Sequence, residues 1–455
     1  MTLGDNLLPL TFRHKAVQVI MGCVQAGESC TIVGIGSVGK SNLLRFLQRQ
    51  DVRRAALGQD WESYLFVYVD VNKLLENSQW GLLELMLHQL LIELTDRGVD
   101  EAALQTLDDL HQRATRPKTR YLALRYLDRA VRIACKRLGL RLVFLLDEFD
   151  DLCRSIAPRG FAAFRALRDD HKYRLGYVVA ARSDLRHLRK EMSEIEAFEE
   201  LVSPHTLWLG PHSEDDARLV LRRLEARHSV GLDDETANDV LAATGGHPGL
   251  LRTAYYAAGE LGRGSLDALV GNPHVQHECQ RIWLSLTPKD QQAVVNLIGD
   301  ALAQSHRTGD LERLRRRGLV GGPWVSDDCI FSPLFEAYVR QQHPIVGARV
   351  HVDHERRVVW VDGREIHRLT PLEYKLITYL EKKRGRVCSR DEIAQHLYPK
   401  DMALEGDGVT ENRIDAVVKR LRERVEPRPK EPRYVVTVRG HGFRLADGDE
   451  ANAER

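Results

Sequence analysis

The chain has 455 residues, more than a single hydrophobic core accommodates, so length predicts two to four domains. Its 43% hydrophobic and 29% charged residues are those of an ordinary globular protein, and a net charge of only +1 means that any nucleic-acid partner must be found in local charge. Seven scattered cysteines without a C-x-x-C pair argue against a zinc site or a disulfide framework, and the chain shows neither a signal peptide nor an apolar run long enough to cross a bilayer; reduced, buried thiols in a cytoplasmic protein without membrane contact are expected.

In chain order, short apolar runs at 31–35, 64–71, 142–146, 177–181 and 206–209 read as five buried strands. Helical patterns at 81–94 and 121–135 lie between them, and strands alternating with helices predict a parallel α/β sheet. Helices at 215–227, 234–243 and 255–261 follow with no strand between. Residues 273–342 read as helices followed by two short strands, a small winged-helix pattern. A third region opens with strands at 350–352 and 358–361. It continues with helices at 371–383, 390–397 and 410–425 and closes with a hairpin at 434–438 and 443–445. The expected division is 1–210, 211–272, 273–345, 346–446 and a polar, disordered tail 447–455.

The first strand leads into Gly34-Ile35-Gly36-Ser37-Val38-Gly39-Lys40-Ser41, which fits G-x-x-x-x-G-K-[ST] at every position. The glycines let backbone N–H groups turn inward around phosphate oxygens, and the helix that follows aims its positive end at the same charge. Lys40 would reach the β- and γ-phosphates and Ser41 would ligate Mg²⁺. The strand at 142–146 ends in Asp147 and Glu148, one carboxylate for the metal shell and one to orient and deprotonate a water. Asp150 and Asp151 read as a solvated helix cap.

These motifs resemble the ASCE branch of P-loop ATPases, which includes the AAA+ proteins and the STAND signalling ATPases. The resemblance covers about residues 8–343. It implies ATP and ADP as ligands with Mg²⁺, a γ-phosphate sensor at Arg182, and Pro248 of Gly-Gly-His-Pro-Gly near the adenine, with residues 10–13 on the same side. On this resemblance 1–210 is the ATPase core, 211–272 a helical lid and 273–345 a winged helix. Arg315-Arg316-Arg317 in the last reads as a solvated helix end. The gap from Lys40 to Asp147 is long, and its helices read as an insertion with its own role. No arginine finger is visible, so a slow switch is expected rather than a motor.

Residues 349–445 resemble the winged helix of OmpR/PhoB-type regulators, through Leu369-Thr370-Pro371-Leu372-Glu373-Tyr374 at the opening, 414–425 as the recognition helix and 436–445 as the wing. Ile414, Val417, Val418, Leu421 and Val425 share one helical face and should be core. Asn412, Ala416 and Lys419 lie opposite, with Arg413 and Arg420 on a flank. Arg413, Lys419, Arg420, Arg422 and, in the wing, Arg439 are the candidate contacts to double-stranded DNA. This stretch carries 22 Lys/Arg against 16 Asp/Glu, an excess of six cations in a neutral chain. The whole reads as a multidomain α/β plus α+β protein: a transcription regulator whose nucleotide state gates a C-terminal winged helix, with self-association on ATP binding and a signal ligand or protein partner left open. The alternative is an ATP-dependent, DNA-anchored loader, defence sensor or transposition helper that recruits other proteins.

Overall fold

The computed structural model describes residues 8–74, 76–116, 122–189, 193, 195–228, 231–299, 307–342, 350–353, 357–361, 364–366, 369–399, 411–426 and 428–446. The expected tail 447–455 and the first residue of the expected helix 410–425 lie outside them. The chain forms two compact units, Met1–Gln291 with Thr308–Tyr338, and Gln292–Arg307 with Val339–Arg455. The segment 273–345, expected as one winged helix, is divided between them.

The first unit is built on five parallel strands: β1 (Cys30–Val33), β2 (Tyr64–Asp70), β3 (Arg141–Asp147), β4 (Leu175–Ala181) and β5 (Thr206–Trp208), in the order β2-β3-β4-β1-β5. β1 and β4 are buried at every position, as a parallel sheet covered on both faces requires. Register brings Val33 beside Ala181, and Leu146 beside Val179. The C-terminal ends of β1, β3 and β4 therefore open on one edge, where ligands of open α/β sheets bind.

The helices Gln79–Asp96, Glu101–Thr115 and Ala123–Arg132 occupy the long gap between β2 and β3. Ser78 and Asp100 cap the first two, accepting from Gly81 N at 3.1 Å and Ala103 N at 2.9 Å. Leu82, Met86, Leu90, Leu107 and Leu127 are fully buried in one core with Leu65 and Val67 of β2 and Phe144 of β3. These helices are thus part of the sheet's own hydrophobic layer. The Glu101–Thr115 helix was not anticipated; its apolar residues repeat sparsely among acidic ones.

Beyond β5 come the helices Glu214–His228, Asp234–Thr244 and Pro248–Leu261. Gly245 and Gly246 make the last turn, with φ of 57° and 71°. A methyl on Gly245 would clash with Phe331 O, and one on Gly246 would lie 2.6 Å from the Trp324 ring, so only glycine lets the chain pass here. The helix Pro273–Leu284 follows; further on, the hairpin β6 (Val320–Gly322) and β7 (Val325–Ile330) forms a wing. Cys329 in β7 is exposed, contrary to the expectation of buried thiols; the other six cysteines are buried.

The second unit contains β8 (Val350–Asp353), β9 (Val358–Val361) and β10 (Arg364–Ile366) as an antiparallel sheet. Helices Pro371–Lys382 and Arg390–Leu397 each begin with a capping box, Thr370 with Glu373 and Ser389 with Glu392. The helix Glu411–Val425 and the hairpin β11 (Val435–Val438) and β12 (Gly442–Leu445) complete it. Ile414, Val417, Val418, Leu421 and Val425 are all buried in its core. Among the described residues no helix is long and apolar enough to cross a membrane.

Candidate nucleotide and nucleic-acid sites

Gly34 leaves β1 with its N–H bonded to Ala181 O at 3.1 Å. A methyl on Gly34 would lie 2.7 Å from Val38 Cγ1 and 2.8 Å from Leu209 O. Ser37 and Gly39 have φ of 57° and 98°, the reversals that fold the loop back on itself, and Lys40 opens the helix Lys40–Gln48. Lys40 is buried and donates to Gly34 O at 2.8 Å and Ile35 O at 3.2 Å. Burial lowers its pKa, partly offset by the nearby Glu148 and Asp150. Ser41 stands in the first turn of the same helix.

The strand tips bring the carboxylates to this loop's edge of the sheet. Asp147 is buried, accepting from Tyr68 Oη at 2.6 Å and from Glu148 N at 3.0 Å. Burial, together with the bond to Asp147, raises the Tyr68 pKa, so the phenol remains a donor. Glu148 is turned out of the strand at φ 54° and pairs with Arg182 Nη2 at 2.7 Å. Burial opposes the Arg182 charge, but Glu148 outweighs it and the pKa rises. Ser41 and Asp147 are hard oxygen donors, the kind that hold Mg²⁺ when phosphate oxygens complete its shell.

Asp150 corrects the expectation of a solvated cap. It is buried and accepts two bonds from Arg182 N, at 3.0 and 2.9 Å, and burial raises its pKa. It fixes the backbone that carries Arg182. Arg317 corrects the expectation of a solvated helix end: it is buried, pairs with Asp290 at 2.8 Å and donates to Arg182 O at 2.8 Å. Arg315 and Arg316 are exposed and pair with Asp328 and Glu312.

Two further residues brace the loop. His247 is buried and lies with Nε2 2.9 Å from Gly36 O, while its Nδ1 accepts from Leu250 N at 3.3 Å. Burial holds its pKa down at about 3, so the ring is neutral and Nε2 is the donor. Pro248, expected near an adenine, has its ring 3.6 Å from the Cβ position of Gly39, as the first residue of a helix whose start His247 ties to the loop. Arg13 donates to Val38 O at 3.1 Å and to Gly210 O and Pro211 O at 2.8 and 2.9 Å. Sequence reasoning missed Tyr68, His247 and Arg317; only His247 had a signal, standing inside Gly-Gly-His-Pro-Gly.

In the second unit Arg413, Ala416, Lys419 and Arg420 are exposed along the outer face of Glu411–Val425. Arg413 lies over the Tyr398 ring at 4.6 Å; the side chain of Asn412 is outside the described set. Arg422, expected as a DNA contact, is engaged within the domain. Its guanidinium donates to Val435 O at 2.9 and 2.6 Å and to Thr437 Oγ1 at 2.8 Å, which pins the hairpin to the helix. Arg439 is exposed at the hairpin tip, with Gly440 at φ 72°. Gly442 is obligatory, since a methyl there would clash with Cys388 O, which receives the Phe443 N–H at 2.9 Å.

Residues 363–445 match the family described as "Transcriptional regulatory protein, C terminal". They are a domain of that family. The sensory transduction protein RegX3 of Mycolicibacterium smegmatis is 40% identical to this chain over 97 residues, 21% of this chain and 40% of that protein. The response regulator GtcR of Aneurinibacillus migulanus is 31% identical over 121 residues, 26% of this chain and 47% of its own length. The chain thus spans less than half of these curated relatives, and the regulator-type domain is what they share. Among solved structures, the Walker-type ATPase of Pyrococcus abyssi is 16% identical with a TM-score of 0.47, covering 73% of this chain and 99% of its own.

Proposed function

We propose that the chain is an ATP-binding, slowly hydrolysing transcription regulator that binds double-stranded DNA through 346–446 and whose nucleotide state gates that domain. The observation that carries the reading is the convergence of Lys40, Asp147, Glu148 and Arg182 on one edge of a parallel sheet, in a chain that also carries a regulator-type domain. Magnesium, when bound, would neutralise phosphate charge and polarise the terminal phosphoryl group. Ser41 and Asp147 would hold it, with Tyr68 and Glu148 N fixing the Asp147 carboxylate. Lys40 would exchange its two loop carbonyls for phosphate oxygens. Arg182 can neutralise Glu148 or face a γ-phosphate. A triphosphate that draws the guanidinium away would leave the Glu148 carboxylate free to accept a proton from water. Loss of that phosphate restores the pair, which gives two states of one site. Self-association on ATP binding and control by a signal ligand or protein belong to the same reading.

The DNA half rests on an exposed cationic helix face beside an exposed wing arginine. Lys419→Ala and Arg439→Ala are expected each to weaken DNA binding and to lower the slope of log affinity against log salt by about 1. Titrations of the purified protein on genomic DNA fragments at several salt concentrations check this. Unchanged affinity and slope in both variants would move the DNA surface elsewhere.

A further inference from the structure

The helix Pro273–Leu284 ends on the phosphate loop. Ser285, just past its last turn, accepts the Gly36 N–H at 2.8 Å and gives its own proton to Ile282 O at 2.6 Å, so its lone pair is aimed at the loop. The approach is close: a methyl on Gly36 would lie 3.1 Å from Arg281 O and 3.2 Å from Ser285 Oγ. The backbone N–H groups of such a loop are its phosphate ligands. The Ser285 oxygen therefore occupies one N–H group of that loop.

Two turns earlier, Glu278 is 4% exposed. Its Oε2 pairs with Arg281 at 3.1 Å, and its Oε1 has no hydrogen-bond partner among the described residues. That unpaired oxygen packs against Gly249, where an added methyl would clash with it and lie 2.7 Å from Ser37 Cβ. A buried carboxylate beside the phosphate loop repels a second anion, and its unsatisfied oxygen already costs free energy.

We propose that Ser285 and Glu278 are affinity-determining residues of the nucleotide site: a hydroxyl and a carboxylate that take the place of phosphate and oppose it until this helix end leaves the loop. The inference rests on the nucleotide reading of Gly34–Ser41. A site that must first be vacated binds more weakly by the fraction of molecules in which it is open. Loosening the lock therefore tightens binding, the reverse of what removing a ligand-contacting group does.

The test is equilibrium binding of a fluorescent ATP analogue to the full chain and to Ser285→Ala, Glu278→Gln and Lys40→Ala, each checked for folding by thermal melting. Ser285→Ala and Glu278→Gln are each expected to bind about three- to tenfold tighter, while Lys40→Ala loses binding. If neither variant binds tighter while Lys40→Ala still loses binding, the lock is overturned and the nucleotide site stands. If Lys40→Ala binds like the parent chain, the nucleotide reading fails and takes the lock with it. If Glu278→Gln does not fold, Ser285→Ala decides alone.

Discussion

Glu148→Gln is expected to slow ATP turnover by about 10²- to 10⁴-fold while ATP still binds. The side chain keeps its size and its place at the tip of β3, but an amide cannot accept the proton of an attacking water. The Arg182 pair, 2.7 Å in the parent chain, loses its anionic partner and becomes a weaker charge–amide contact, so Arg182 is released toward bound phosphate and the ATP-bound state should accumulate. Lys40, Ser41 and Asp147 are untouched. Phosphate release at saturating ATP, with affinity measured in parallel, separates the two effects. Turnover at the parent rate would remove Glu148 from the role of base, and loss of binding would make it a ligand instead.

Asp290→Ala should destabilise the unit that contains it by about 3–5 kcal/mol, the usual consequence of leaving a buried charge without its partner. Asp290 is buried and accepts from Arg317 Nη1 at 2.8 Å, Arg313 Nε at 3.0 Å and Thr287 Oγ1 at 2.6 Å. Arg317 is buried as well, and burial already lowers its pKa in spite of Asp290. Without the carboxylate, that guanidinium keeps only the Arg182 carbonyl among the partners described above. Replacing Arg317 by Met in the same chain should recover part of the loss, because the stranded charge goes with it. Chemical unfolding followed by tryptophan fluorescence checks both variants. A loss under about 1 kcal/mol for Asp290→Ala would show that water reaches the pair.

The parts of the site that could be read from the sequence are those with short-range causes. A loop that reverses at Ser37 and Gly39 and then starts a helix at Lys40 leaves its spacing in eight consecutive residues. Asp147 and Glu148 follow a buried run whose end must be a strand tip. The recognition-helix core was legible for the same reason, through a 3.6-residue period. What escaped depends on partners far along the chain. Ser285 meets Gly36 across 249 positions, and Arg317 meets Arg182 across 135. Asp150 looks like a helix cap until the end of β4 presents the Arg182 N–H to it. Arg422 looks like its cationic neighbours until the hairpin offers it Val435 O. No local pattern records such pairs.

The central claim is that nucleotide state changes DNA binding. Its most direct test is selection of genomic DNA fragments by the purified 455-residue chain with ATP, with ADP and without nucleotide, at two salt concentrations, alongside Lys40→Ala. The account predicts enrichment of a few sequences, an enrichment that changes with nucleotide in the parent chain and does not change in Lys40→Ala. Uniform enrichment across fragments that is the same in all three nucleotide conditions would contradict it and would favour a DNA-anchored chain that recruits other proteins.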